Sequence, residues 1–182
     1  MRKLDKTLVL VGMMGAGKTS VGKRLAGVLS IPFRDADAEI EIAAGCTINE
    51  IFERFGEPAF RAGERKVIAR LLLDPPHVLA TGGGAFMDAE TRARIKEKAI
   101  SIWLKAHVDL LLERVMRKDT RPLLHNTDNR AALERLLSER EPIYSQADIT
   151  VESDDGPHDT VVRRILTVLD SRPKNESTGA MR

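Results

Sequence analysis

The fold of this chain is decided by Gly12-Met13-Met14-Gly15-Ala16-Gly17-Lys18-Thr19. The apolar run 8–11 comes directly before this stretch, and apolar residues at helical spacing follow it over 21–29. A strand, a glycine-rich turn and a helix, with G-x-x-x-x-G-K-[ST] at the turn, form the complete P-loop signature in the context that it requires. A chance glycine turn would have to match all of these features, so the stretch predicts a nucleoside triphosphate site.

Each part of this turn has a predicted role at the triphosphate. Glycines let backbone N–H groups curl around phosphate oxygens, and the positive end of the following helix dipole faces the same phosphates. Lys18 is expected to reach the β- and γ-phosphates, and the hydroxyl of Thr19 is expected to lie on Mg²⁺. The predicted nucleotide-binding residues of the loop are Gly15, Ala16, Gly17, Lys18, Thr19 and Ser20.

The composition is that of an ordinary soluble globular protein. The chain has 182 residues, a formal net charge of +2, 42% hydrophobic residues and 31% charged residues, so bulk charge gives no reason to expect nucleic-acid binding. No apolar run approaches the length of a membrane span, and Cys46 is the only cysteine, which fits a reducing cytoplasm. We therefore expect a cytoplasmic protein with one domain over residues 1–170 and a disordered polar tail over 171–182.

Short apolar strands alternate with helical patterns along the chain. The predicted strands are 7–11, 31–35, 77–81, 100–104 and 148–151. The predicted helices are 18–29, 37–42, 48–56, 58–72, 88–98, 107–116, 130–140 and 160–169. Five strands separated by helices predict an α/β domain with a parallel sheet.

Two carboxylates follow the second predicted strand. In open α/β sheets ligands bind outside the carboxyl ends of the strands, so Asp35 and Asp37 lie on the correct edge for a phosphate site. One can serve a Mg²⁺ ion and the other a substrate hydroxyl. The alternatives are that Asp37 is the N-cap of the next helix and that Asp35 is a solvated strand terminator.

Three consecutive glycines follow the third predicted strand. Gly82, Gly83 and Gly84 together lose much backbone entropy on folding, which is reasonable where the backbone must approach a ligand closely. The alternative is a tight strand-to-helix connection with no ligand.

Two arginines are candidates for binding an anionic substrate. Arg61 and Glu64 are three residues apart on a predicted helix and share a face, so the glutamate can hold the guanidinium in one rotamer. Arg140 lies in a second helical pattern, and two arginines can grip a carboxylate with planar, charge-assisted hydrogen bonds. The alternative is an exposed ion pair on a solvated helix face, which contributes little.

A polar segment without periodicity covers residues 114–129. It contains Arg117, Lys118 and Arg121, followed by Pro122. A phosphoryl-transfer enzyme needs a closing loop that excludes water and usually carries an arginine, so the segment predicts a mobile lid. A basic surface loop is the alternative.

The ordered set of these motifs resembles the shikimate kinase family, P-loop kinases of the nucleoside-monophosphate-kinase type. The resemblance extends over residues 8–169 and rests on the P-loop, Phe33-x-Asp35-x-Asp37, Phe60-Arg61-x-x-Glu64, Thr81-Gly82-Gly83-Gly84, Arg121-Pro122-Leu123-Leu124 and Arg140-x-x-x-Tyr144. It implies a P-loop NTPase fold with strand order 2-3-1-4-5. It also implies phosphorylation of the 3-hydroxyl of shikimate by ATP with Mg²⁺, in the route to chorismate and the aromatic amino acids.

The resemblance further implies a role for particular residues. Shikimate would be held by Asp37, Arg61, Gly83 and Arg140, within a substrate-binding region over residues 37–64. Asp35 would lie near Mg²⁺ through water, Arg114 against adenine, and Arg121 over the phosphates, in a lid over 115–128. Lys18, Asp37 and Arg121 would then be the catalytic residues of a monomeric enzyme.

Two alternative functions, one within the kinases and one of another class, are compatible with a P-loop. A related kinase for gluconate or a nucleoside monophosphate would also use arginines, because they bind phosphates as well as carboxylates. A nucleotide-dependent switch or binding module is the second alternative. The N-K-x-D motif of guanine-reading switches does not occur in the sequence.

Overall fold

The computed structural model describes residues 4–118 and 127–172. The strands are β1 (Thr7–Val11), β2 (Phe33–Asp35), β3 (Val78–Ala80), β4 (Ala99–Lys105) and β5 (Ile149–Glu152). The helices are α1 (Lys18–Leu29), α2 (Ala36–Ala44), α3 (Ile48–Leu71), α4 (Ala89–Lys98), α5 (Val108–Lys118), α6 (Thr127–Tyr144) and α7 (His158–Ser171). A 3₁₀ turn over Ala85–Met87, which the sequence analysis did not predict, follows the glycine triplet.

The five strands form one parallel sheet in the order β2-β3-β1-β4-β5. β1 is the central strand of this sheet, and all five of its residues are buried, as expected for a strand with helices on both faces. The predicted fold class and strand order are confirmed. Because all the strands run the same way, the segments that come after β1, β2 and β3 meet at one edge of the sheet.

The glycines of the P-loop are required by its backbone. Gly12, Gly15 and Gly17 have φ values of 138°, 79° and 94°, in the region that favours glycine. A Cβ on Gly12 would also lie only 2.7 Å from the carbonyl oxygen of Leu104. The turn from β1 into α1 therefore depends on glycine for both conformation and space.

Helix α3 is interrupted at Gly56, whose φ of 77° and ψ of 173° are not helical. The helix begins with a capping box, in which Thr47 accepts from the N–H of Glu50 and the Glu50 carboxylate accepts from the N–H of Thr47. Pro58 comes just after the break, as predicted for the start of a second helical segment. The interruption separates the first segment of α3, over residues 48–55, from the segment that carries Arg61.

The C-terminal helix extends through Ser171, the first residue of the predicted tail. Residues 173–182, which make up most of that tail, lie outside the described residues. Within residues 4–118 and 127–172, we find no helix with the length and apolar character needed to cross a membrane.

Candidate active site

Lys18 lies folded against the phosphate-binding loop. Its ammonium group donates hydrogen bonds to the carbonyl oxygens of Gly12 (2.7 Å) and Met13 (2.8 Å), and the residue is 9% exposed. Gly17 is the N-cap of α1 and supplies no side-chain cap, so the first N–H groups of the helix are left for an anion. A fixed ammonium beside an uncapped helix N-terminus suits a polyphosphate. The other predicted loop residues, Gly15, Ala16 and Ser20, lie in the same turn and the first turn of α1.

The hydroxyl of Thr19 and the carboxylate of Asp35 meet between α1 and β2. Thr19 donates to Asp35 Oδ2 at 2.9 Å, and Asp35 Oδ1 accepts from the backbone N–H of Asp37 at 3.1 Å. Asp35 is therefore the N-cap of α2, and the interpretations of Asp37 as the cap and of Asp35 as a plain strand terminator are wrong. Hydroxyl and carboxylate oxygens are hard ligands of the kind that Mg²⁺ prefers, so this pair fits the cation that accompanies a nucleotide.

Asp37 and Glu64 bring two carboxyl groups to the same side of Gly82. A Cβ on Gly82 would lie 3.2 Å from Asp37 Oδ1 and 3.1 Å from Glu64 Oε1. Burial, reinforced by the carboxylate of Asp35, raises the pKa of Asp37 above its ordinary value. Burial also raises the pKa of Glu64, although Arg61 opposes the shift. A carboxylate with a raised pKa is a better proton acceptor than one in water.

Arg61 is held between two glutamates of its own helix. Its Nη1 donates to Glu64 Oε2 at 2.8 Å, its Nε lies 3.4 Å from Glu57 Oε1, and Cζ lies 5.1 Å from the ring centroid of Phe60. The side chain of Glu64 is only 4% exposed, so the interpretation of an exposed pair on a solvated face is wrong. The guanidinium lies directly over Gly84, where a Cβ would come within 2.5 Å of Nη2.

Arg140 lies where the glycine triplet meets the P-loop. A Cβ on Gly83 would lie 3.5 Å from Arg140 Nη1 and 3.4 Å from the backbone nitrogen of Met14. The hydroxyl of Tyr144 donates to the carbonyl oxygen of Gly83, and its ring stacks on Trp103 with 5.9 Å between the ring centroids. Gly83 therefore joins the phosphate loop to α6, and Tyr144 is a residue that the sequence analysis quoted without assigning it a function.

Space, rather than backbone conformation, restricts the residue at Gly84 and, less severely, at Gly82, whereas a Cβ on Gly83 would make ordinary van der Waals contacts. The described glycines with positive φ are Gly12, Gly15, Gly17, Gly45 and Gly56, and none of the triplet is among them. Each member of the triplet instead faces a different predicted site residue. The glycines let these side chains approach the backbone at the end of β3.

A pocket of about 310 Å³ opens between α3, the 3₁₀ turn and α6. Its lining residues are Glu57, Arg61, Glu64, Arg65, Gly84, Met87, Asp88 and Arg140. The sequence analysis missed Arg65 and Asp88, which form an ion pair at 3.1 Å on the pocket wall. Their separation of 23 residues leaves no local sequence signal for the pair.

Arg114 lies against the P-loop and the segment that comes after β5. Its Nη2 donates to the carbonyl oxygen of Asp154 at 2.8 Å, and its Nη1 lies 3.2 Å from the hydroxyl of Ser153. Arg121, the predicted lid arginine, lies outside the described residues, as do residues 119–126 of the predicted lid.

Comparison with known proteins agrees with this arrangement of residues. The model of the family described as "Shikimate kinase" matches residues 14–170. A curated shikimate kinase of Caulobacter vibrioides is 62% identical over 164 residues, which cover 90% of this chain and 82% of the relative. The chain belongs to the shikimate kinase family. It is therefore an ATP-dependent kinase, as predicted, and ATP is its co-substrate.

Solved structures separate this family from kinases that share only the fold. The structure titled "Shikimate kinase from Acinetobacter baumannii in complex with shikimate" has a TM-score of 0.84 and 41% identity, and the match covers 91% of this chain and 93% of that one. A gluconokinase from Sinorhizobium meliloti has a TM-score of 0.61 and 20% identity, over 93% of this chain and 94% of that one. The second likeness shows the fold alone, and family membership sets aside the nucleotide-switch alternative.

Proposed function

We propose that this protein transfers the γ-phosphoryl group of ATP to the 3-hydroxyl of shikimate, giving shikimate 3-phosphate and ADP on the route to chorismate and the aromatic amino acids. The position of Gly83 carries the proposal. It lies between Met14 of the phosphate loop and the guanidinium of Arg140, so a phosphate donor and an acidic acceptor would meet there. Relatives named as shikimate kinases, one of them solved with shikimate, support this choice of acceptor.

The acceptor would be held by groups of opposite charge at its two ends. Arg61 and Arg140 are the proposed partners of its carboxylate, because both guanidinium groups lie against the glycine triplet and two arginines suit a planar anion. Asp37 is the proposed partner of the reacting hydroxyl, and Gly83 leaves room for the ring. Binding at both ends would fix the hydroxyl in line with the donor phosphate, which is the main requirement of phosphoryl transfer.

The donor would be bound by residues Gly15 to Ser20, with Arg114 against adenine and Lys18 and Arg121 at the transferred phosphate. Thr19 is the proposed direct ligand of Mg²⁺, and Asp35 its ligand through water. Bound Mg²⁺ would neutralise part of the negative charge of the phosphates. Asp37 would orient the hydroxyl and accept its proton, a role for which its raised pKa is suited. We propose that the enzyme acts as a cytoplasmic monomer.

An ADP-release assay coupled to NADH oxidation tests the acceptor directly. Shikimate, gluconate and AMP would each be supplied with ATP and Mg²⁺ to the same enzyme preparation. We expect turnover with shikimate alone, because only that acid combines a carboxylate for the two arginines with ring hydroxyls for Asp37. No turnover with shikimate in an enzyme that still binds ADP would overturn the proposal, and turnover with gluconate would replace it.

A further inference from the structure

Arg65 connects helix α3 to the end of the 3₁₀ turn that follows the glycine triplet. Its Nη1 donates to Asp88 Oδ2 at 3.1 Å, and both residues line the pocket between α3, the turn and α6. Arg65 comes four residues after Arg61, so the two arginines lie on the same face of α3, one turn apart. The first of these arginines lies over Gly84, where the 3₁₀ turn begins, and the second pairs with Asp88, where it ends.

Asp88 holds the start of α4 with its other carboxylate oxygen. Its Oδ1 accepts from the backbone N–H of Thr91 at 2.8 Å, so Asp88 is the N-cap of α4. Burial disfavours the charged carboxylate, but the hydrogen bonds from Thr91 and Arg65 outweigh burial and lower the pKa of Asp88. The carboxylate is therefore charged at neutral pH, and it joins α3 to α4 at the wall of the pocket.

The turn is attached to α4 by a second arginine. Arg92 Nη1 donates to the carbonyl oxygens of Phe86 and Met87, each at 2.8 Å. Because the internal hydrogen bonds of a 3₁₀ turn have poorer geometry than those of an α-helix, these two external bonds should matter for its stability. They make the turn and the first part of α4 one unit, with Gly84 at its beginning.

The ion pair spans the gap between this unit and the helix that carries Arg61. The guanidinium of Arg61 is oriented by Glu57 and Glu64, both of which belong to the same helix as Arg61 itself. Those bonds fix the rotamer of Arg61 but not the distance from α3 to the glycine triplet. The bond from Arg65 to Asp88 does constrain that distance, because its two ends lie on opposite sides of the gap.

We propose that Arg65 is a positioning residue for the acceptor, which acts through Asp88 to hold the 3₁₀ turn and Gly84 against the guanidinium of Arg61. The proposal rests on the proposed function only in taking an acceptor carboxylate as the ligand of Arg61. Arg65 does not need to touch the acceptor, since its partner is a carboxylate of the protein. The two side chains of the pair are 42% and 29% exposed, so its contribution is small and its loss should leave the chain folded.

Four variants of the whole chain test this role, namely Arg65→Ala, Arg65→Lys, Asp88→Asn and the double variant that combines Arg65→Ala with Asp88→Asn. Asparagine caps a helix as well as aspartate does, so Asp88→Asn removes the charge that pairs with Arg65 and keeps the cap of α4. We expect Arg65→Ala and Asp88→Asn each to raise the KM for shikimate about two- to fivefold, the range that a partly exposed ion pair can supply.

The other kinetic constants separate positioning from general damage. The KM for ATP and kcat should not change, because the P-loop and Asp37 are untouched. Arg65→Lys should retain part of the wild-type KM for shikimate, since an ammonium group can still pair with Asp88. The double variant should be no worse than either single variant, because both substitutions break the same pair.

Hydrogen exchange in the ligand-free enzyme gives a second readout that needs no acceptor. The backbone N–H of Ala85 donates to the carbonyl oxygen of Gly82 at 3.2 Å, and that of Met87 donates to the carbonyl oxygen of Gly84 at 3.1 Å. Arg65→Ala should speed the exchange of these two amides about two- to fivefold, because the turn opens more often when it is not attached to α3. The amides of β1 should exchange as in the wild type.

Arg94→Ala is the matched control, because Arg94 is also in an ion pair, with Glu90 at 2.8 Å on α4, but does not line the pocket. It should change neither the KM for shikimate nor the exchange of the turn. An unchanged KM for shikimate in Arg65→Ala would overturn the proposal, and so would an equal rise in the KM for ATP or additive effects in the double variant. Failure of the wild type to phosphorylate shikimate would instead defeat the proposed function, whereas unchanged exchange at the turn would overturn the role of Arg65 alone.

Discussion

Replacing Gly84 with alanine tests whether the acceptor site depends on space at the glycine triplet. A Cβ on Gly84 would lie 2.5 Å from Nη2, 2.6 Å from Nη1 and 2.7 Å from Cζ of Arg61, distances that no real contact allows. Gly84 itself has φ of −91° and ψ of −13°, which alanine adopts without strain. The substitution therefore acts through the guanidinium, which must leave its place.

The size of the expected effect comes from the bond that Arg61 would lose. A hydrogen bond to a charged group contributes about 1.5–3 kcal/mol, so losing it to the shikimate carboxylate should raise the KM for shikimate about 10- to 150-fold. The KM for ATP should stay within about twofold, because the P-loop is untouched. We expect the free energy of unfolding to fall by about 1 kcal/mol or less, since the clash is with the end of a flexible side chain.

Gly63→Ala is the matched control, because Gly63 lies in the same helix as Arg61 and an added Cβ there meets nothing within 4 Å. Arg61→Ala measures the effect of removing the guanidinium altogether, and it should raise the KM for shikimate at least as much as Gly84→Ala. All three variants would be assayed by coupled ADP release and by thermal unfolding. If Gly84→Ala keeps the wild-type KM for shikimate while Arg61→Ala raises it, the guanidinium does not need this position and the reasoning is refuted.

Three other outcomes are expected from the geometry of the site. Asp37→Asn should lower kcat by at least ~100-fold and leave ADP affinity nearly intact, because the amide cannot accept the hydroxyl proton; an active variant would exclude that role. Tyr144→Phe should lower the free energy of unfolding in urea by about 1–3 kcal/mol, because the carbonyl of Gly83 loses its donor in a partly buried place; an unchanged urea midpoint would contradict this. Burial and Arg114 lower the pKa of His158, so the unfolded chain binds the proton first as the pH falls below about 6.5. The wild type should therefore lose more thermal stability than His158→Gln between about pH 7.5 and 5.5, and equal losses would contradict a lowered pKa of His158 in the folded protein.

Much of the fold could be predicted because its signals are local. The bounds of β1 and α1 agree with the predicted ranges, since the P-loop signature fixes where one ends and the other begins. The break at Gly56 was also predictable, from a glycine followed closely by Pro58. The 3₁₀ turn after the triplet was missed, because three residues are too few to show any periodicity.

The types of residue in the candidate site could be predicted, but their hydrogen-bond and ion-pair partners could be predicted less well. Nothing in the sequence shows that Glu64 is buried, because its spacing from Arg61 is that of an ordinary surface pair. The choice of helix cap was likewise open, since Asp35 and Asp37 are both common cap residues and lie only two residues apart. The bond from Tyr144 to Gly83 spans 61 residues, and contacts of this range are made by the sheet topology rather than by any local motif.

The two glycine clusters of this enzyme have different physical origins. Those of the P-loop have positive φ, so any other residue there strains the backbone and endangers the turn itself. Those of the triplet do not have positive φ, and what opposes a side chain there is space, at Gly84 because of Arg61 and less severely at Gly82 because of Asp37 and Glu64. Substitution in the first cluster should therefore damage nucleotide binding together with folding, whereas substitution in the second should alter the grip on the acceptor. We therefore expect a kinase of the same fold to keep the first cluster and to be freer to differ in the second, because a Cβ on Gly84 would meet Arg61, a proposed acceptor-binding residue, rather than strain the backbone.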